Sequence, residues 1–135
     1  MRLVRQVYAS DCGIAVAAMV SHRRYIVVRE TAREAGLLCT SGTSIVRMVA
    51  ILERCTGRRW EATIPDEFRP LVEEVELVRL RRPMVLLIKD PDLDRRHWIA
   101  AENGHIYCPG EEQRCRLAEY EQRSWVLRRI LTPAR

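Results

Sequence analysis

Long apolar runs are missing from this 135-residue chain: the longest, 14–20 and 84–88, fall far short of the about 20 residues a membrane helix needs. The opening residues Met1-Arg2-Leu3-Val4-Arg5-Gln6 lack the apolar core of a secretion signal, so the chain is read as cytoplasmic. Lysine is almost absent. Lys89 stands alone, and the other 22 of the 23 basic residues are arginine. The arginines give a net charge of +5 but are scattered, with short pairs such as Arg23-Arg24 and Arg95-Arg96. No basic stripe with interleaved aromatics forms, so a nucleic-acid partner is not expected. An acidic protein partner met through the arginines is a weaker alternative. No Cys-x-x-Cys pair occurs, which excludes a standard structural zinc site. Five cysteines, at 12, 39, 55, 108 and 115, are an odd count without a secretion signal, which argues against a disulfide framework. Repeats, low-complexity stretches and long linkers are also missing.

What is present is an ordinary globular composition, 47% hydrophobic and 30% charged. A chain of this length forms one domain, 1–135, and buries roughly 68% of its unfolded surface. The run from Cys12 to Ser21 is apolar on every side and predicts a buried helix. A second helix is predicted over 27–35, stopped by Gly36. The turn Ser41-Gly42-Thr43-Ser44 supplies a cap for a third, in which Ile45, Met48, Val49, Leu52 and Cys55 recur at helical spacing up to Gly57. Residues 60–64 suggest a short strand. Pro70 suits the first turn of a helix carrying Leu71, Val75 and Val78 on one face.

The second half is predicted to be sheet. Residues 84–88 form a continuous apolar strand, 97–101 and 105–108 flank Asn103-Gly104, and 126–131 form a last strand. Asn-Gly is the strongest short hairpin signal, for a two-residue type I′ turn. Helices first and strands later imply an α+β fold, with helices packed on an antiparallel sheet. The turn sets Glu102 opposite His105 and Ala100 opposite Tyr107. By period-two alternation His97 and Cys108 then share a face as diagonal neighbours. Cys39 and Cys115 read as ordinary free thiols, Cys55 as core, and His22 and His105 as surface residues.

Gln6, the run Asp11-Cys12-Gly13, and His97-Trp98 stand in the order that a papain-like cysteine peptidase site needs. A cysteine at a helix N-terminus feels the positive end of the helix dipole, which favours the thiolate. The chain resembles the bacteriocin-processing peptidases, papain-like domains that cut leader peptides after a double glycine, usually at the N-terminus of an ABC exporter. That family opens with Gln and, six residues on, Asp-Cys-Gly, matched by Gln6 and Asp11-Cys12-Gly13. A Gly-Thr/Ser turn before a helix is matched by Ser41-Gly42-Thr43-Ser44. A Pro-led apolar strand is matched by Pro83-Met84-Val85-Leu86-Leu87, and the histidine, aromatic and apolar run by His97-Trp98-Ile99-Ala100.

The resemblance implies a papain-like fold and a thiol peptidase with Cys12 as nucleophile and His97 as general base. It implies that Gln6 and the Cys12 backbone N–H donate to the oxyanion. It implies a peptide or protein substrate, no cofactor and no metal. The exporter's membrane and nucleotide-binding segments are not in this chain, so a free-standing domain is expected. One position departs from the family: its histidine-orienting Asp-Pro is matched by Cys108-Pro109. Three outcomes stay open. Glu111 or Glu112 orients His97 instead; a Cys12–His97 dyad works alone; or catalysis is lost and the domain binds a peptide or protein partner. Cys108 also offers a redox lock with Cys12, or a metal site with Cys12 and His97. The resemblance leaves acyl transfer to an amine rather than water open as well, and the oligomeric state is open.

Overall fold

The computed structural model describes residues 1–74 and 81–135. Three helices come first: α1 (Cys12–Ser21), α2 (Tyr25–Glu34) and α3 (Ile45–Thr56). Six strands follow: β1 (Trp60–Thr63), β2 (Met84–Lys89), β3 (Arg96–Glu102), β4 (His105–Tyr107), β5 (Cys115–Arg116) and β6 (Val126–Pro133). They form one antiparallel sheet in the order β1-β6-β2-β3-β4-β5. The α+β arrangement of helices on an antiparallel sheet is the one expected from the sequence. No helix among the described residues is long and apolar enough to cross a membrane.

The local chemistry explains the element ends. Cys12 to Val20 are all buried, as a helix without a polar face must be. The Ser44 side chain caps α3 by accepting from the Arg47 N–H. Gly36, at φ +71°, closes α2 in a Schellman pattern: Leu37 N–H donates to Ala32 and Gly36 N–H to Arg33. Helix α2 begins two residues earlier than its apolar spacing suggests, because Tyr25 enters the first turn with its hydroxyl on Asp11. Asn103 and Gly104 both have positive φ, +53° and +75°, as a type I′ turn demands. The register follows, with Glu102 opposite His105 and Ala100 opposite Tyr107.

Two features differ from the sequence expectation. Among the described residues after Pro70 the chain makes a 3-10 turn, Leu71–Glu73, whose Leu71 and Val72 N–H groups donate to the Trp125 and Arg123 carbonyls. Val75 and Val78 lie outside the described residues. Strand β5 and the 3-10 turn Leu117–Glu119 were not foreseen, since two residues and one turn carry no periodicity.

Both faces of the sheet are covered. On one, Val85, Leu87, Trp98, Ala100, Tyr107 and Leu131 pack against α1, α2 and α3. On the other, Leu86, Ile88, Ile99, Ile106, Cys108 and Leu127 pack with Leu71, Leu117 and Tyr120. A strand buried on both faces has to be apolar throughout, which is why β2 reads as a continuous run rather than an alternation.

Candidate active site

Cys12 is the first residue of α1 and is 8% exposed. Its N–H belongs to the first helical turn, whose donors have no acceptor within the helix. Asp11 precedes it and is buried; the Tyr25 hydroxyl donates to its Oδ2, and Arg29 Nε lies 3.8 Å from the same oxygen. Arg29 also lies over the Tyr8 ring, 5.4 Å from its centre. Gly13 follows because nothing larger fits. A Cβ there would lie 2.8 Å from Thr43 Oγ1, 2.9 Å from Thr43 Cβ and 3.3 Å from the Trp98 ring. The Trp98 indole N–H donates to the Thr43 carbonyl at 2.8 Å, so indole, turn and helix start lock together.

His97 lies on β3 opposite Ile88, hence on the sheet face away from the helices. Cys108 reaches it as the hairpin register requires: His97 Nε2 is 3.2 Å from Cys108 Sγ. The buried Tyr120 hydroxyl donates to the same sulfur at 3.2 Å. Cys108 thus sits between the imidazole and a phenol. Neither glutamate replaces it: Glu111 lines the His97 cavity without a hydrogen bond to the ring, and Glu112 lines a separate surface recess. Among the described residues no cluster of three or more His, Cys, Asp or Glu is placed to hold a metal ion.

Cys12 and His97 approach β3 from opposite sides, and no hydrogen bond joins them. Cys12 opens on a cavity of about 790 Å³ lined by Thr43, Arg47, Leu87, Arg96 and Trp98. His97 opens on a second, of about 480 Å³, with Gln6, Arg96, Cys108, Glu111 and Trp125. Arg96 borders both.

Burial sets the protonation states. It pushes the Cys12 thiol up, and the Trp98 and Gly13 backbone N–H groups offset this only in part. It pushes His97 down to about 4. The helix-dipole expectation of a ready thiolate is therefore outweighed, and the resting pair is neutral thiol and neutral imidazole. Cys108 is also raised by burial, against the lowering effect of the Tyr120 hydroxyl.

Gln6 is held in place by its own backbone N–H, which donates to the Pro109 carbonyl at 3.1 Å. Its side-chain Nε2 donates to the carbonyls of Tyr8 and Ala9, each at 3.1 Å, and its buried Oε1 has no partner among the described residues. In this conformation both amide hydrogens are engaged locally. An oxyanion would receive a hydrogen bond from Gln6 only after the amide turns away from those carbonyls.

Sequence reasoning missed four residues. Tyr25 and Arg29 hold Asp11; Tyr120 backs Cys108; and Cys39 lines the Cys12 cavity. Tyr25 and Arg29 stand four apart on one helix, a spacing that announces a shared face but not its partner. Tyr120 follows an irregular segment and left no pattern to read.

No family model matches the sequence, and no curated protein matches it. Solved structures do. The peptidase domain of Streptococcus ComA, a bi-functional ABC transporter involved in a quorum-sensing pathway, superposes with a TM-score of 0.61 at 18% identity, over 98% of this chain and 97% of that one. A double-glycine-motif protease from an AMS/PCAT transporter, solved in complex with its leader peptide, gives 0.63 at 16% identity, over 98% and 89%. Three helices on a six-stranded antiparallel sheet are thus the papain-like fold of double-glycine peptidase domains.

Proposed function

We propose that this chain is a cysteine peptidase that hydrolyses a peptide bond, in leader-peptide or protein processing, with Cys12 as nucleophile and His97 as general base. The observation that carries the proposal is the pairing of a peptidase-domain fold with Cys12 at the first turn of α1, beside the strand that bears His97. With Nε2 turned to Cys108, the imidazole has Nδ1 left for the Cys12 proton, which it takes only once the ring is re-aimed towards Cys12, since the two side chains open on separate cavities in this conformation. Because the resting pair is neutral, that proton moves as the sulfur attacks rather than beforehand. Attack on the carbonyl carbon gives a tetrahedral oxyanion facing the Cys12 N–H and, once re-aimed, the Gln6 amide. The imidazolium protonates the leaving amine, and a thioester remains. Water, deprotonated by His97, then releases the acid and restores the thiol. The substrate is a peptide or protein with small residues before the cut.

The test is hydrolysis of a fluorogenic peptide with Gly-Gly before the scissile bond. The wild type should turn it over, and Cys12→Ala should lose about 10³-fold or more while keeping the wild-type circular dichroism. Full activity in Cys12→Ala would sink the proposal. A second reading is favoured by Cys108 in the acid's place: a catalytically weakened or inactive module that binds a peptide or protein. In its inactive form it predicts no turnover by the wild type and equal peptide affinity for wild type and Cys12→Ala.

A further inference from the structure

The cavity in front of Cys12 holds more chemistry than one nucleophile requires. A second thiol, Cys39, lines the same wall, together with Ser41, Arg47 and Arg96. Cys39 is partly exposed, whereas Cys12, Cys55 and Cys108 are buried. Its Sγ lies 3.1 Å from Ser41 Oγ, in a turn closed by the Gly42 N–H on the Cys39 carbonyl. Among the described residues neither Arg47 nor Arg96 has a carboxylate partner, and the cavity's own carboxylate, Asp94, is engaged by Lys89 at 3.5 Å. A volume of about 790 Å³ is in the range that takes a small molecule whole.

We propose that this cavity is a site of reversible S-thiolation, in which Cys39 forms a mixed disulfide with a small anionic thiol held by Arg47 and Arg96. The co-reactant is the thiol's own symmetrical disulfide. The Cys39 thiolate attacks one of its sulfurs, a Cys39–S–S–R bond forms, and the other half leaves as a thiolate that takes a proton from water. One disulfide is exchanged for another, so no further oxidant is needed, and excess free thiol reverses the step. The Ser41 hydroxyl, the Ser41 N–H and the Arg47 guanidinium all favour the Cys39 thiolate, whereas burial disfavours that of Cys12. Cys39 is therefore the better-armed of the two thiols towards a solution disulfide. The adduct occupies the space onto which Cys12 opens, whatever reaction Cys12 performs.

The experiment treats the full chain with oxidised glutathione at neutral pH and, in parallel, with the uncharged 2-hydroxyethyl disulfide, reading adducts by intact mass and peptide mapping. The expected result is one glutathionyl group on Cys39 in the wild type and in Cys12→Ala, none in Cys39→Ser, with removal by dithiothreitol. The wild type should react faster with the anionic probe than with the uncharged one, and the Arg47→Ala/Arg96→Ala double variant should lose about tenfold or more of that preference. An adduct mapped to Cys12 or spread over several cysteines overturns the proposal, as does a preference for the anionic probe that survives loss of both arginines.

Discussion

Replacing Cys108 by aspartate should re-arm the histidine. In the present structure the sulfur 3.2 Å from His97 Nε2 is neutral, so when the ring takes a proton nothing nearby balances its charge. Burial alone then holds His97 down at about 4. A carboxylate at that spot is an opposite charge within hydrogen-bond reach, which shifts a pKa by about 1–3 units towards the charged form. At 1.36 kcal/mol per unit this corresponds to about 1.4–4 kcal/mol, compatible with the ~4 kcal/mol of two unit charges 4 Å apart at an effective dielectric of 20. The desolvation of a carboxylate at a site only 3% exposed opposes the gain, and the Tyr120 hydroxyl, already aimed there, offsets it by donating to the new acceptor. His97 should thus titrate about 1–3 units higher in Cys108→Asp, measured by NMR of the ring protons with His22 and His105 as internal references. If the ring swings towards Cys12 as the proposed mechanism requires, alkylation of Cys12 by iodoacetamide at neutral pH should accelerate by about tenfold or more, because a ring that holds its proton stabilises the thiolate. Cys108→Asn, similar in shape but uncharged, should leave His97 near its present value. An unchanged His97 titration in a folded Cys108→Asp, or an equal rise in Cys108→Asn, would refute the electrostatic reasoning.

Two further outcomes concern stability. His97 is depressed from its ordinary 6.5 to about 4, so the unfolded chain binds its proton first. Stability should hold above pH 6.5, fall by about 3 kcal/mol between pH 6.5 and 4, and then level off for this group; urea titrations across that window should show the fall, and a His97→Gln variant that falls equally would rule it out. Gly13→Ala should cost about 1–3 kcal/mol through the contact with Thr43, and Thr43→Gly in the same chain should recover most of it; a thermal melt with the single variant as stable as the wild type would show that the turn yields freely.

How far the sequence carries depends on the range of each interaction. Helix α1 was legible because an apolar run with no polar face has only one place to go, the interior. The hairpin was legible because Asn103 and Gly104 prefer backbone angles that most residues avoid, and two residues then dictate the register of two strands. That register carried the inference furthest, from a dipeptide to a contact between His97 and Cys108. The turn Leu71–Glu73 is 3-10 rather than α-helical, closed by the Glu73 and Glu74 N–H groups on Pro70 and Leu71 and tied to the Trp125 and Arg123 carbonyls more than 50 residues away, and no local pattern records such a tie.

The electrostatics of the site were the least legible part, and the reason is physical rather than statistical. A cysteine at a helix N-terminus has a local reason to ionise, and that reason can be read from neighbouring residues. The opposing effect, loss of water, depends on how Thr43, Trp98 and the sheet close over the sulfur, which only the folded chain decides. The same closure explains why the two cleft thiols exchange the roles expected of them. Cys12 sits at the helix end but out of water; Cys39 sits in an ordinary turn but within reach of a hydroxyl, an N–H and a guanidinium. In sequence the Ser-Gly-Thr-Ser turn is a helix cap and a family match, yet its first serine also faces Cys39 and its threonine fills the space left by Gly13. One turn thus ties together the cap of α3, the close approach at α1 and the second thiol. Altering Thr43 should therefore perturb the reactivity of both cysteines at once, whereas altering Cys108 should reach only Cys12, the one proposed to give its proton to His97.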